Sequence, residues 1–208
     1  MSPTPVRALL ELITNNVSVL EKACASSGTE IPDLYSPFHP STEAFRTNPD
    51  AAEASNVIVA AAHQLAAILT PPQVALYNSV GGAFKSAAIR VCIESNVTEI
   101  LREAGPQVST VLSQPLYRIV TVFSKGLHVD DIAKINGQDP RKLGRFLRIL
   151  SLHHIYREVT PDIFTNTRIS SMLDTLKPSK EILADPEHKH INPWASQSRF
   201  HPYLLCCA

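Results

Sequence analysis

The segment from Leu127 to Ser170 limits the fold of this chain more than any other part of the sequence. Its pattern predicts a short helix over residues 130–136 that ends at Gly137, followed by a second helix that Asp139-Pro140 caps. Apolar residues recur on the second helix at the i, i+3, i+4 and i+7 spacing of a helix-turn-helix: Leu143, Phe146, Leu147 and Leu150. The segment therefore predicts two packed helices joined by a tight turn.

Two short β-prone runs follow the second helix, at residues 155–159 and 163–166. Between them lies Thr160-Pro161-Asp162, a sequence typical of a turn. A small hairpin that follows a helix-turn-helix is the arrangement of a winged helix. We therefore predict a winged helix over residues 126–177.

The residues before this segment predict amphipathic helices. Apolar residues spaced by three and four indicate helices over residues 5–27 and 50–69, the second beginning after Asn48-Pro49. Thr70-Pro71-Pro72-Gln73 has the form of a capping box and predicts a third helix, and a fourth follows from Ala83. Between the first two helices, four prolines predict a connector with little regular structure. The predicted fold class is mainly α, with a small β-hairpin.

Composition excludes several classes of function. The chain has 208 residues, and its nineteen Lys and Arg balance nineteen Asp and Glu, so there is no general attraction to nucleic acid or membrane surfaces. The longest apolar stretch, residues 57–69, is shorter than the ~20 residues that cross a bilayer. Four scattered cysteines without a CxxC pair favour a reducing compartment. We expect a cytoplasmic protein without a membrane span.

The sequence also lacks the patterns of a self-contained enzyme. Its seven glycines form no G-x-G turn, which a Rossmann-type nucleotide site needs for close approach of the backbone. The one concentration of histidine and cysteine fits no zinc-binding spacing: His188, His190, His201, Cys206 and Cys207. We therefore predict no catalytic, cofactor-binding or metal-binding residue.

A basic face on the second helix of the helix-turn-helix leaves one nucleic-acid hypothesis open. Arg141, Arg145 and Arg148 lie at i, i+4 and i+7, opposite the apolar stripe, as on a recognition helix. Residues 126–177 carry eight Lys or Arg against six Asp or Glu, a weaker imbalance than phosphate binding usually shows. A solvated face is the favoured interpretation, and a DNA-binding regulator is the alternative.

Residues 83–107 and 126–175 together carry a family resemblance. They are similar to the N-terminal region of fungal S-adenosylmethionine-dependent O-methyltransferases of the plant caffeic-acid type, and LGRFLRILSLHHIYREV at residues 143–159 is the most specific part. The resemblance implies a helical dimerisation region with a winged-helix core that interlocks two subunits. It also implies that the donor-binding and catalytic residues of that family belong to a later domain, which we expect this chain to lack.

Two stretches depart from the family pattern. Residues 108–125 form an apolar, β-prone insert of eighteen residues, and a tail begins at Ile191. Val108-Ser109 can be encoded by GTAAGT and Lys125 by AAG, so we hypothesise a retained intron. The alternative is a genuine loop insertion whose apolar residues bury at an oligomer interface: Val111, Leu112, Leu116, Ile119, Val122 and Phe123.

These observations predict a dimerisation module of the O-methyltransferase family that is inactive alone. We expect a helical dimerisation region at residues 1–107, the insert at 108–125, the winged helix at 126–177, and a linker and tail at 178–208. The expected partner is a second copy or a full-length relative, for which the chain would act as a regulatory subunit. The predicted dimer interface consists of Leu9, Ile13, Val17, Val57, Ile58, Ala61, Leu65, Phe84, Ala88 and Val91.

Overall fold

A computed structural model describes residues 4–105, 107–108, 122–123 and 126–191 of the chain. The described residues form two compact units, one from residues 4–33 and 39–83 and the other from residues 34–38 and the described part of 84–191. They are mainly helical with a small antiparallel sheet, which confirms the predicted fold class. The first unit ends within the predicted helical region, and the boundaries at residues 107, 125 and 177 stay predictions.

The first unit contains three α-helices and one 3-10 helix. In chain order these are α1 (Pro5–Ser27), the 3-10 helix (Pro40–Thr47), α2 (Pro49–Leu69) and α3 (Pro72–Val80). The predicted spans of α1 and α2 are confirmed, since Thr4 caps α1 and Asn48 caps α2 by accepting backbone N–H groups. Sequence spacing and capping chemistry were therefore sufficient to locate the two long helices.

The predicted capping box at Thr70 is wrong. Pro71 occupies the N-cap of α3 and makes no side-chain cap hydrogen bond. The Thr70 N–H instead donates to the Ala66 carbonyl at the end of α2. Thr70 therefore terminates one helix rather than starting the next.

Small side chains let α1 and α2 pack closely. The buried cluster between them consists of Leu20, Ala23, Cys24, Phe45, Ala51 and Ala54, with Ile58 partly buried. Phe45 comes from the 3-10 helix, where the sequence predicts an irregular connector. The Arg46 guanidinium lies over the Phe45 ring and donates to Ser55 Oγ at 2.8 Å, which fixes the connector on α2.

The second unit begins in α4 (Gly82–Glu94) and continues through α5 (Val97–Glu103). Strands β1 (Gln107–Val108) and β2 (Val122–Phe123) form an antiparallel pair. Next come β3 (Leu127–His128), α6 (Val129–Asn136), α7 (Pro140–Leu152), β4 (Tyr156–Thr160) and β5 (Ile163–Asn166). A 3-10 helix (Ser170–Leu173), α8 (Ser179–Ala184) and a 3-10 helix (Pro186–His188) complete the unit.

The predicted helix-turn-helix and hairpin are both present. Gly137 ends α6 in the left-handed conformation, and the Asp139 carboxylate accepts the Lys142 N–H to cap α7. The hairpin pairs β4 with β5, and a third strand, β3, pairs with β5 on its other side. Sequence analysis missed β3, because a strand of two residues carries no periodic signal.

Gly126, directly before β3, lies very close to β5. Gly126 has φ +68°, and a Cβ at this position would lie 2.7 Å from both the Ile163 side chain and the Phe164 carbonyl oxygen. Only glycine has both the conformation and the space that this approach requires.

A continuous core joins α4 to α7 and the sheet. It contains Ala88, Cys92, Val97, Ile100, Leu101, Val129, Ile132, Leu143, Leu147, Leu150, Ile155, Tyr156 and Phe164. The Tyr156 hydroxyl lies 2.8 Å from Thr98 Oγ1, so the buried phenol has a hydrogen-bond partner. Burial raises the pKa of the Cys92 thiol to about 12, which makes this thiol a packing group rather than a nucleophile.

A short strap, residues Leu34–Phe38, belongs to the second unit, although in the sequence it comes between α1 and the 3-10 helix of the first unit. The Arg168 N–H donates to the Leu34 carbonyl, and the Phe38 N–H donates to Ser171 Oγ, both at 2.8 Å. Arg157 stacks on the Tyr35 ring at 4.1 Å. The strap is therefore held at both of its ends.

Helix α5 holds the segment that follows the sheet. The Glu99 carboxylate accepts from the Thr175 N–H and hydroxyl, and the Glu103 carboxylate accepts from the Ser179 N–H and hydroxyl. Arg102 lies between them and pairs with Asp174 at 2.7 Å. The segment before residues 178–190 is thus fixed on α5. Within residues 178–190, which the sequence predicts as a linker, Ile182 and Lys189 are buried.

The hypotheses about the insert and the tail lie almost entirely outside the described residues. Within 108–125 only the backbone of Val108 and of β2 is described, and the tail is described only at Ile191. The origin of both stretches stays a hypothesis.

Candidate dimerisation surface

The predicted interface residues of the first unit divide by burial. Leu9 and Ala61 are buried within the chain. The others are partly buried along α1 and α2: Ile13, Val17, Val57, Ile58 and Leu65. Leu9 and Ala61 therefore stabilise this unit itself, whereas the partly buried residues leave part of their apolar surface exposed.

The predicted interface residues of α4 differ from one another. Ala88 is fully buried in the core of the second unit, and Val91 is partly buried. Phe84, at the start of the helix, exposes 69% of its surface. Of these three, Phe84 has the most apolar surface available for contact with another molecule.

Other apolar side chains of α1 and α2 are exposed although sequence analysis did not select them. They are Leu10, Leu12, Val19, Val59, Ile68 and Leu69. The apolar positions with regular helical spacing mark the face that the chain buries in itself. The exposed apolar residues lie on more than one side of each helix, since Leu10 and Leu12 are about 200° apart on α1, and they follow no such spacing.

Helix α3 has no buried residue. Leu76 and Val80 are spaced by four residues and therefore share one face, and they are 67% and 73% exposed. Tyr77, beside them, is 73% exposed. A helix whose aromatic and aliphatic side chains contact so little of its own chain has the composition of an interface helix.

Helix α2 is unusually apolar for a helix with so little burial. Over the described residues it is the one helix long and apolar enough to cross a membrane, by length and composition only, and little of it is buried. The apolar stretch identified in the sequence began at Val57 and so left out the alanine-rich first half of the helix. Core helices of soluble proteins have the same length and composition.

The three arginines of the nucleic-acid hypothesis line one cleft in the second unit. Arg141, Arg145 and Arg148 border it together with the start of α6 and Asp162 of the β4–β5 turn. The Arg148 guanidinium donates to both the Glu158 and the Asp162 carboxylates. This pairing ties α7 to the hairpin and occupies Arg148, one of the three arginines on which the DNA-binding alternative depends.

No group of three or more His, Cys, Asp or Glu side chains in the described part of the chain is placed to hold a metal ion. His201, Cys206 and Cys207 of the histidine and cysteine concentration lie outside the described residues.

Similarity to known proteins decides the family. No protein-family model matches the chain. It is 50% identical over 190 residues to 4-O-methyltransferase 1 of Phanerochaete chrysosporium, a match that covers 91% of this chain and 37% of that relative. With an O-methyltransferase of Armillaria gallica, the identity is 39% over 188 residues, covering 90% and 36%. The chain is a partial O-methyltransferase homologue.

A third relative agrees with this relationship. It is 3-O-methyltransferase 2 of Phanerochaete chrysosporium, 29% identical over 172 residues, with 82% of this chain and 34% of the relative covered. The resemblance to fungal O-methyltransferases is confirmed. This O-methyltransferase homologue spans little more than a third of the length of the curated relatives it matches.

Proposed function

We propose that this O-methyltransferase homologue is a dimerisation module that pairs with a second copy of itself through the apolar faces of α1, α2 and α3. The observation that carries the proposal is α3, a helix with no buried residue and with Leu76, Tyr77 and Val80 exposed. Water contact with such a surface is unfavourable by roughly 25 cal/mol per Å² of apolar area, so association that covers it is favoured.

The exposed apolar residues of these helices are the surface that a second copy would cover. A specific dimer needs about 800 Å² from each partner, supplied by a core of aliphatic and aromatic side chains. The three helices offer Val6, Leu10, Leu12, Val19, Val59, Ile68, Leu69, Val74, Leu76, Tyr77 and Val80. A symmetric pairing would use the same face of both copies.

Light scattering coupled to size-exclusion chromatography tests this proposal. We expect the wild-type chain to elute with twice its mass of 22.8 kDa, and the double variant Leu76→Glu, Val80→Glu to elute with the single mass. A monomeric wild type at micromolar concentration would overturn the proposal.

Asn78→Glu is the matched control. Asn78 lies on α3 between the two mutated positions but on the opposite side of the helix, and it is exposed. This variant adds one negative charge to the same helix, where the double variant adds two, and it leaves Leu76 and Val80 unchanged, so it should remain dimeric. Equal dissociation of both variants would show that charge on α3, rather than loss of apolar contact, separates the copies.

We further propose that the 208-residue polypeptide transfers no methyl group by itself. It matches little more than a third of its relatives, and O-methyltransferases use S-adenosylmethionine. Incubation with labelled donor and a phenolic acceptor tests this statement, and turnover would refute it.

A full-length relative is the second partner that the apolar surface would accept. Mixing the chain with such an enzyme and measuring both mass and methyl transfer separates this case from self-association. We also propose a cytoplasmic location, which the free thiols of the buried Cys24 and Cys92 support.

A further inference from the structure

A cleft of about 380 Å³ opens on the second unit and is independent of the proposed dimerisation surface. Its walls come from the start of α6, the first half of α7 and the β4–β5 turn, and its lining is mostly polar and charged. The lining residues are His128, Val129, Asp130, Pro140, Arg141, Gly144, Arg145, Arg148 and Asp162. A cleft of this size accepts a small molecule.

The two carboxylates in the cleft differ in their contacts. Asp162 accepts from Arg148. Asp130 is exposed and lies 3.5 Å from His128 Nδ1, but this nitrogen accepts the Asp130 N–H and so has no proton to donate to the carboxylate. The backbone N–H of Val129 donates to the Asp162 carbonyl. The Asp162 carboxylate and the first N–H groups of α6 are therefore occupied within the chain.

The guanidinium groups of Arg141 and Arg145 differ from that of Arg148 in their contacts with the protein. Within residues 4–105 and 126–191, no side-chain hydrogen bond or ion pair joins either guanidinium to a protein group. Asp139 attracts Arg141 electrostatically, but the Asp139 carboxylate is held at the α7 N-terminus by the Lys142 N–H. Two exposed guanidiniums, four residues apart on one helix face, thus border the same cleft without a carboxylate partner.

Gly144 keeps this cleft open. A Cβ at Gly144 would lie 3.8 Å from the Arg148 guanidinium, the Asp162 carboxylate and the Val129 side chain, which is ordinary van der Waals contact. Alanine would fit here, and glycine within a helix is less stable than alanine by roughly 0.5–1 kcal/mol. Glycine therefore leaves at this position the space of one methyl group, beside Arg148, Asp162 and Val129.

We propose that this cleft binds a small oxyanion, a free molecule that carries a carboxylate or phosphate group, between Arg141 and Arg145. The planar guanidinium donates two parallel hydrogen bonds to such groups, and i, i+4 spacing lets two arginines share one anion. Arg148 is held by Glu158 and Asp162 and forms the wall of the site rather than a ligand contact.

Nuclear magnetic resonance titration of the full chain tests the proposal. Inorganic phosphate and succinate are added separately while sodium chloride keeps the ionic strength constant. We expect saturable shifts of the Gly144 amide and of the Arg141 and Arg145 side-chain N–H signals with at least one anion. Arg141→Gln and Arg145→Gln should each weaken that binding by about tenfold, as expected for loss of one charge-assisted contact.

Two further variants make the test specific. Lys142→Gln removes one positive charge from the same helix at a residue that does not line the cleft, and it should bind as the wild type does. Gly144→Ala should weaken binding while the unfolding midpoint stays equal or rises, which separates loss of the site from loss of the fold.

Several results would overturn the proposal. These are the absence of saturable shifts with both anions, unchanged binding in the Arg141→Gln and Arg145→Gln variants, or equal weakening by Lys142→Gln. Binding of a labelled DNA duplex is measured as well. Duplex binding that exceeds phosphate binding and that weakens in Lys142→Gln would replace the small oxyanion with a nucleic-acid backbone.

Discussion

The Lys189 ammonium lies 3.8 Å from the Glu99 carboxylate, and both side chains are almost fully buried, at 3% and 1% exposure. Lys189 also donates to the Asn96 side-chain oxygen at 2.6 Å and to the Ile93 carbonyl. Burial lowers the pKa of Lys189. This lysine comes from the end of the described chain and reaches the turn between α4 and α5, so it closes the second unit.

Removal of the Lys189 charge should destabilise the second unit strongly. Lys189→Met leaves the Glu99 carboxylate buried without its cation, and loss of one partner from a buried pair lowers the free energy of unfolding by about 3–5 kcal/mol. Urea unfolding monitored by circular dichroism measures the change. Lys180→Met is the control, because Lys180 is exposed on α8. Equal stability of the two variants would contradict a structural role for the buried pair.

Alanine substitutions at Gly126 and Gly137 should differ in effect. Both glycines have a positive φ, +68° and +73°, but a Cβ meets no atom within 4 Å at Gly137 and meets two atoms at 2.7 Å at Gly126. Gly137→Ala should lower the free energy of unfolding by about 1–2 kcal/mol, the strain of the left-handed conformation alone. Gly126→Ala should lower it further, because β3 must move away from β5. Similar losses in parallel urea titrations would show that the Cβ clash is relieved without loss of stability.

Asp139 should give α7 a stability contribution that depends on pH. Its hydrogen bond from the Lys142 N–H holds the pKa of Asp139 below the ordinary value. Such a group stabilises the folded state above the unfolded pKa of about 3.9, and the contribution is lost as pH falls through the lower folded pKa. Asp139→Ala should therefore reduce stability at neutral pH and have less effect in acid. Unfolding midpoints between neutral and acidic pH measure this difference, and an equal loss of stability at both would contradict it.

Cys92 should not react with thiol reagents in the folded chain. Burial raises the pKa of its thiol to about 12, so almost no thiolate forms at neutral pH. A variant in which Cys24, Cys206 and Cys207 are serine leaves this thiol alone. We expect it to be labelled only after urea is added. Fast labelling without urea would mean that the packing of α4 against Tyr156 opens readily.

Local chemistry in the sequence located most of the helices. The side chains of Asn48 and Asp139 mark the starts of helices because they accept backbone N–H groups of the first turn. Gly137 marks the end of a helix because it adopts the left-handed conformation. Such local signals need no knowledge of the fold. The helix-turn-helix spacing predicted α6 and α7, and the β-prone runs around Thr160-Pro161-Asp162 predicted the hairpin, for the same reason.

Contacts between distant parts of the chain were not predictable in this way. The strap at Leu34–Phe38 lies more than a hundred residues from Ser171, and Lys189 is far along the chain from Glu99. Neither pair is part of a repeating pattern. The exposure of α3 was missed as well, since an apolar helical stripe has the same pattern whether its partner is the same chain or another molecule.

The shortness of α3 has a consequence for how a partner would be recognised. An isolated helix of nine residues is barely stable in water, since about 12–15 residues are needed before its hydrogen bonds offset the loss of chain entropy. Helix α3 gains little from burial within its own chain, so ordering of this segment and association with a second molecule should occur together. Part of the interaction free energy would then offset the entropy lost when the helix folds. This makes the complex weaker and more readily reversible than its apolar area alone would suggest.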